Sequence, residues 1–280
     1  MSGAARRRRR APASWQPRQP AFWILAVGIL ACVPLQLRGL IQQEPPAEVL
    51  GISLLVGAIE VLLFWAIALL LSRDRPRPVG LRLVALAWGL AVVQVIASFS
   101  NTHYFSVLNG LGLHAFAASI AAPVDEDLLR FVGTLGVLAL AAQRRITARD
   151  GLVYGFLVGA GFEVSENLAF LFSSTDLAGT VQLALIRLGI GFGLHALWTG
   201  ISGAALAYVL ARRRAGMPAR WRVAALGLLA PMLLHALWDA PAPSIHPLLV
   251  FAVLGVVYAV TLAAFGGILV ATSRRARDST

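Results

Sequence analysis

Eight long apolar stretches, at about 21–36, 49–72, 80–100, 117–142, 151–172, 181–211, 222–239 and 247–271, constrain this chain of 280 residues more than any other feature. A hydrocarbon layer about 30 Å thick is crossed by about 20 apolar residues in a helix that rises about 1.5 Å per residue. Most of the stretches reach that length. Short polar joints separate them, among them Arg73-Asp74-Arg75-Pro76-Arg77-Pro78, Gln143-Arg144-Arg145 and Arg212-Arg213-Arg214-Ala215-Gly216. Charged residues make up only 13% of the chain, against about 25% in an average soluble domain. Neither a soluble globule nor a disordered chain fits that balance. The single cysteine, Cys32, excludes a disulfide framework and any cysteine-built metal centre, and reads as a buried apolar residue of the first helix.

The basic residues set the expected topology. All 24 are arginine, and 21 of them fall in five clusters: the N-terminal tail, the joints at 73–82, 144–149 and 212–222, and the C-terminal tail. If all eight stretches cross, the five clusters share one face, and retention of arginine in the cytoplasm makes that face the inner one. The run Arg6 to Arg10 therefore reads as an anchor at the bilayer surface, with lipid and not nucleic acid as its partner. The expected fold is an all-α polytopic membrane protein of about eight transmembrane helices with both termini cytoplasmic. Residues 1–20 form a basic tail, 21–272 a single transmembrane domain and 273–280 a second basic tail. Trp23 and Trp221, near helix ends, read as interfacial anchors. The mixed stretch 101–116 reads as an outer loop or interfacial helix.

Ionisable groups inside hydrocarbon cost at least about 2.5–3.5 kcal/mol each, which makes them functional candidates by default. The first three stretches contain one, Glu60. The fourth to seventh hold Asp125, Glu126, Asp127, Arg130, Glu163, Glu166, Asn167, Arg187, His195, His235 and Asp239. Helix rise puts Glu126, Glu166, His195, His235 and Asp239 about 20–26 Å from the arginine-rich ends of their helices. Helices running in alternating directions thus bring acids and imidazoles to one level in the outer half of the membrane. Residues four apart share a helix face, so Asp239 can orient His235 and Arg130 can pair with Glu126. Glu126 and Asp127, adjacent in a dry site, resist ionising together, as a general acid/base near neutral pH requires. Gly151, Gly155 and Gly159, and likewise Gly189 and Gly193, have the spacing that lets helices approach closely.

Four blocks in this region resemble the motifs of a known family. Pro123-Val124-Asp125-Glu126-Asp127-Leu128-Leu129-Arg130 is similar to the P-x-x-E-E-x-x-K motif of the PrsW family of intramembrane proteases. Asp150-Gly151-Leu152-Val153-Tyr154-Gly155, continuing to Gly161-Phe162-Glu163-Val164-Ser165-Glu166-Asn167, resembles its D-G-x-x-Y-G…G-x-G-F-x-x-x-E-N stretch. His195-Ala196-Leu197-Trp198-Thr199-Gly200 and His235-Ala236-Leu237-Trp238-Asp239 are similar to its two histidine motifs. The blocks stand in family order over roughly 120–240, and the catalytic core is expected at about 117–240. Two positions depart from the pattern: Asp127 replaces Glu, and Arg130 replaces Lys.

The resemblance implies a bacterial cell-membrane peptidase that cleaves a single-span membrane substrate, typically an anti-sigma factor, near the outer leaflet. The residues themselves suggest hydrolysis by an activated water, with or without a metal. Glu126, with Asp127 or Glu166, would move the proton. His195 and His235 would bind a metal, for which zinc is the candidate and Glu166 a third ligand, or would donate to the oxyanion. Asn167, Asp239 and Arg130 would support them. Each residue also has a structural alternative. Glu126–Arg130 would be an ion pair, Glu166 and Asn167 an interhelical hydrogen-bonding node, and the histidines core residues. A non-catalytic membrane scaffold that keeps the polar cluster for partner binding is the competing function. A transporter using the acids as an ion path would favour broken helices.

Overall fold

The computed structural model describes residues 15–141, 145–240 and 247–277. The arginine run 6–10, Arg144 and His246 lie outside the described residues. The chain is all-α, and no strand occurs among the described residues. Its helices are α1 (Pro20–Ile41), α2 (Ala47–Leu71), α3 (Val79–Ala87), α4 (Gln94–Gly110), α5 (Ala117–Leu140), α6 (Ala148–Phe172), α7 (Leu177–Ile186), α8 (Leu194–Arg214), α9 (Trp221–Trp238) and α10 (Pro247–Arg277). Seven helical units are long and apolar enough to cross a membrane: α1, α2, Val79–Gly110, α6, Leu177–Arg214, α9 and Leu248–Ser273. The chain is therefore a multi-pass membrane protein, and α5, 24 residues long, is the eighth long helix.

Two π-helical segments, Trp88–Val93 and Arg187–Gly191, interrupt the expected helices. The first joins α3 to α4 without a break. Residues 101–110, expected in an outer loop or interfacial helix, continue that helix to Gly110. The second segment ends in a true break. Phe192 is extended, with ψ of 122°, and Gly193 is left-handed, with φ of +85°. A side chain is strained in that backbone region, so glycine is required there. The stretch 181–211 is thus two helices. Gly193 serves the turn, and nothing lies near Gly189, so this pair does not form the packing seam that its spacing suggested.

The other glycine series does form one. A Cβ on Gly151, Gly155 or Gly159 would meet a carbonyl oxygen of α8 at 1.9, 2.2 and 2.1 Å respectively, so the backbones of α6 and α8 touch along three turns. No side chain larger than hydrogen fits there. α6 is the most buried of the candidate spans and packs against α8, α2, α3 and α5. It begins at a capping box, where Thr147 and Asp150 satisfy each other's backbone N–H groups. Asp150 also accepts from Arg75 and, at 2.9 Å, from Arg77, which ties the α2–α3 joint to the start of α6. Cys32 is buried, while Trp23 and Trp221 are exposed near the helix starts.

Candidate active site

Charged side chains on α5, α6, α8 and α9 turn inward and meet. Glu126, Asp127 and Arg130 are buried on α5, and a proline, Pro123, lies one turn before them. His235 is buried on α9, four residues after Pro231. Each proline lacks an N–H and frees one carbonyl of the preceding turn. Ligand atoms of Glu126, His195 and His235 all lie within 4.8 Å of one another. Three helices that are distant in sequence contribute one residue each.

The proton positions around His235 follow from its neighbours. Its Nδ1 lies 3.0 Å from Asp127 Oδ2. Arg130 Nη2 stands 3.5 Å from the same nitrogen and donates to Asp127 Oδ1 at 2.7 Å. A guanidinium has no acceptor, so only the carboxylate can take a proton from Nδ1. Nδ1 therefore donates to Asp127, and Nε2 faces Asp239 at 3.3 Å and Glu126 at 3.8 Å. Orientation from the Nδ1 side comes from Asp127, one helix away, and Asp239 stands on the other side of the ring. Arg130, fully buried and stacked 4.7 Å over the ring of Phe162, pairs with Asp127 more closely than with Glu126, whose carboxylate is 3.9 Å away.

Glu126 receives its hydrogen bond from Asn101 at 3.3 Å, and its other oxygen, Oε2, is buried without a hydrogen-bond partner. Asn101 was not singled out in the sequence because the polar run Ser100-Asn101-Thr102-His103 resembles a loop. In the helix that run forms, Ser100 donates to Asp125 and Asn101 to Glu126. The sequence signal is the four-residue step from Ala97 to Asn101, which extends the face that α4 turns toward α5.

A second network adjoins the first through His195. Its Nδ1 is 3.8 Å from Glu166 Oε2 and 4.0 Å from Glu163 Oε2, and its ring stands edge-on to that of His235, 5.2 Å between centroids. Glu166, partly exposed, is paired with Arg187. Arg187 also donates to Asn167 at 2.6 Å, and Asn167 donates to Glu60 at 2.6 Å. Glu60, Glu163 and Arg187 had no assigned role in the sequence, because their partners lie on other helices. Glu163 accepts from the backbone N–H of Gly193, at the break before α8. Glu166 was grouped with the histidines as a metal ligand. The carboxylate with a ligand atom within 4.8 Å of both imidazoles is that of Glu126, while Glu166 stands beside His195. Thr199 bonds back to the carbonyl of His195 and takes no part.

A family model described as "PrsW family intramembrane metalloprotease" matches residues 77–265. A protein of Dehalococcoides mccartyi named as a manganese efflux pump, MntP, is 31% identical over 129 residues, or 44% of this chain and 63% of that protein. The chain thus covers less than two thirds of that relative. No solved structure matches.

Proposed function

The chain belongs to the PrsW family of intramembrane metalloproteases, and we propose that it is an endopeptidase acting on single-span membrane proteins. In this reading it hydrolyses one peptide bond near the outer leaflet, with a water held between Glu126, His195 and His235. The observation that carries the reading is the triad itself. Ligand atoms of one carboxylate and two imidazoles stand within 4.8 Å of each other in a buried site, and one Glu126 oxygen has no hydrogen-bond partner. Leaving such an oxygen unsatisfied costs about 1–3 kcal/mol, which a cation or a water would recover.

Two histidines and a carboxylate are a donor set that zinc uses in catalytic sites, with a further position open for water. The residues fit a divalent cation, and Glu126, His195 and His235 would hold it. Bound there, the ion would lower the pKa of a coordinated water and polarise the scissile carbonyl. The sequence assigned proton transfer to Glu126 with Asp127 or Glu166. Its closeness to both imidazoles supports a ligand's role for Glu126 and leaves proton transfer to Glu166, the partly exposed carboxylate beside His195. Glu166 takes a proton as the water oxygen bonds to the carbonyl carbon, and returns it to the leaving nitrogen as the C–N bond breaks. Asp127 keeps the proton of His235 on Nδ1, so Nε2 presents its lone pair. Arg130 donates to Asp127 and holds that carboxylate against the ring.

The outer-leaflet position is supported by the helix rise, about 20–26 Å from the arginine-rich ends. The single-span substrate is what the resemblance to the family implies, and the bilayer is the medium of the encounter. The test is cleavage of a tagged single-span substrate by the purified protein in proteoliposomes, with bound metal measured in parallel. Glu126→Gln and His235→Ala are expected to abolish the fragment and to lower metal content. A fragment unchanged in both variants would remove the catalytic assignment. Transport of Mn²⁺ into the vesicles without cleavage would replace it with a cation pathway, the activity for which the pump-like relative is named.

A further inference from the structure

We infer that Glu163 is a positioning residue for His195, holding its proton on Nδ1 and leaving Nε2 as the basic nitrogen of the ring. The inference rests on the reading of His195 as a site residue. It concerns a side chain to which neither the family pattern nor the proposed reaction gives a part.

Glu163 is almost wholly buried, and its two oxygens are in different situations. Oε1 accepts the backbone N–H of Gly193, while Oε2 is buried with no hydrogen-bond partner. What Oε2 faces is Nδ1 of His195, 4.0 Å away. That is about 1 Å beyond an ordinary hydrogen bond, within reach of a small turn of either side chain. Glu166 lies as near to the same nitrogen, but its oxygen is already taken by Arg187. Of the two oxygens that face Nδ1, that of Glu163 is the one with no hydrogen-bond donor. An imidazole that donates one N–H to a carboxylate is fixed in tautomer and orientation, and its other nitrogen becomes more basic.

The same carboxylate also determines where the helix of His195 starts. Gly193 has φ of +85° and lies two residues before His195, at the break that separates α8 from the preceding π segment. The N–H that Glu163 accepts is an unpaired donor of that break. Glu163 thus sets both the position of the backbone and the state of the ring. The other imidazole shows the closed form of this arrangement, where Asp127 takes Nδ1–H of His235 from a neighbouring helix at 3.0 Å. Each histidine of the triad has its own buried carboxylate, and each carboxylate comes from another helix.

Glu163→Gln separates the two tasks. The amide oxygen still accepts the Gly193 N–H, so the break is retained. The amide NH₂ that replaces Oε2 is a donor, and it turns Nδ1 into an acceptor. The experiment is ¹⁵N-histidine NMR of the full chain in nanodiscs near pH 7.5, with His195 assigned by its loss in His195→Gln. The expected result is a proton on Nδ1 in the unmodified protein and on Nε2 in Glu163→Gln, with the thermal midpoint little changed. Cleavage of the tagged substrate is expected to fall about 10–100-fold in kcat, with KM unchanged. An unmodified protein whose His195 carries its proton on Nε2, or on both nitrogens, overturns the inference without need of any variant. So does a tautomer that is the same in Glu163→Gln. The NMR result does not depend on proteolysis: the expected tautomers in a protein that cleaves nothing would sustain the role of Glu163 while removing the protease reading.

Discussion

Arg130 is the residue on which the charge balance of the site turns. Its side chain is fully buried, it donates to Asp127 at 2.7 Å, and two of its nitrogens have no hydrogen-bond partner. A buried ion pair adds little over a well-packed apolar pair, but removing one partner leaves an uncompensated charge that costs about 3–5 kcal/mol. Arg130→Met is accordingly expected to lower stability by about that amount in thermal unfolding, and Asp127→Asn in the same chain to recover part of it. An Arg130→Met protein as stable as the original would show that Asp127 is neutral and that the pair is not ionic. The residues of the triad were legible in the sequence because a charge inside an apolar helix has no inexpensive explanation. Asn101 was not, nor were the roles of Glu60 and Glu163, since their meaning lies in what stands across from them. The spacing of Glu126 and Arg130 pointed to an ion pair within one helix, yet the closer partner is Asp127, three residues away.

Among the helices, contact between α6 and α8 places His195. A Cβ on Gly159 would lie 2.1 Å from the carbonyl oxygen of His195 itself, a contact that backbone cannot yield to without the helices parting. Gly159→Ala is expected to push α8 from α6, with loss of both thermal stability and cleavage. Gly189→Ala, where nothing lies within 4 Å of the added carbon, is expected to leave both near the original values. Equal effects of the two substitutions would mean that the seam does not position the histidine. The series 151, 155, 159 was readable because helical period and small size coincide. The pair 189 and 193 has the same period for another reason, a left-handed turn, and spacing alone cannot tell the two apart. The π segments were equally hidden, since their residues are ordinary apolar helix formers. Both shift the helical register, and the second ends at the turn that Glu163 caps.

At the scale of the whole molecule, the number of crossings decides where the termini lie, and α5 decides the number. By composition it fails as a span because it carries Asp125, Glu126, Asp127 and Arg130 within 24 residues. Its surface says otherwise. Ile120, Val124, Leu128, Val132 and Leu135 are exposed and recur every three or four residues, a single apolar stripe of the kind that faces lipid, while all four charges are buried. A helix with its charges turned inward meets the hydrocarbon as an apolar one. Eight crossings then return the chain to its starting side, and the five arginine clusters share one face, as cytoplasmic retention of arginine requires. Seven crossings would put the N-terminal arginine run and the C-terminal arginines on opposite faces. The measurement is reporter fusion at each terminus, together with cysteine labelling in a Cys32→Ala background. Both fusions are expected to report the cytoplasm. Thr175→Cys, in the exposed joint between α6 and α7, is expected to react from outside, and Ala215→Cys, beside the arginines that end α8, only from inside. Termini on opposite faces would remove α5 from the bilayer. Glu126 could not then share a depth with His195 and His235, and the triad on which the hydrolase reading depends would be lost with it.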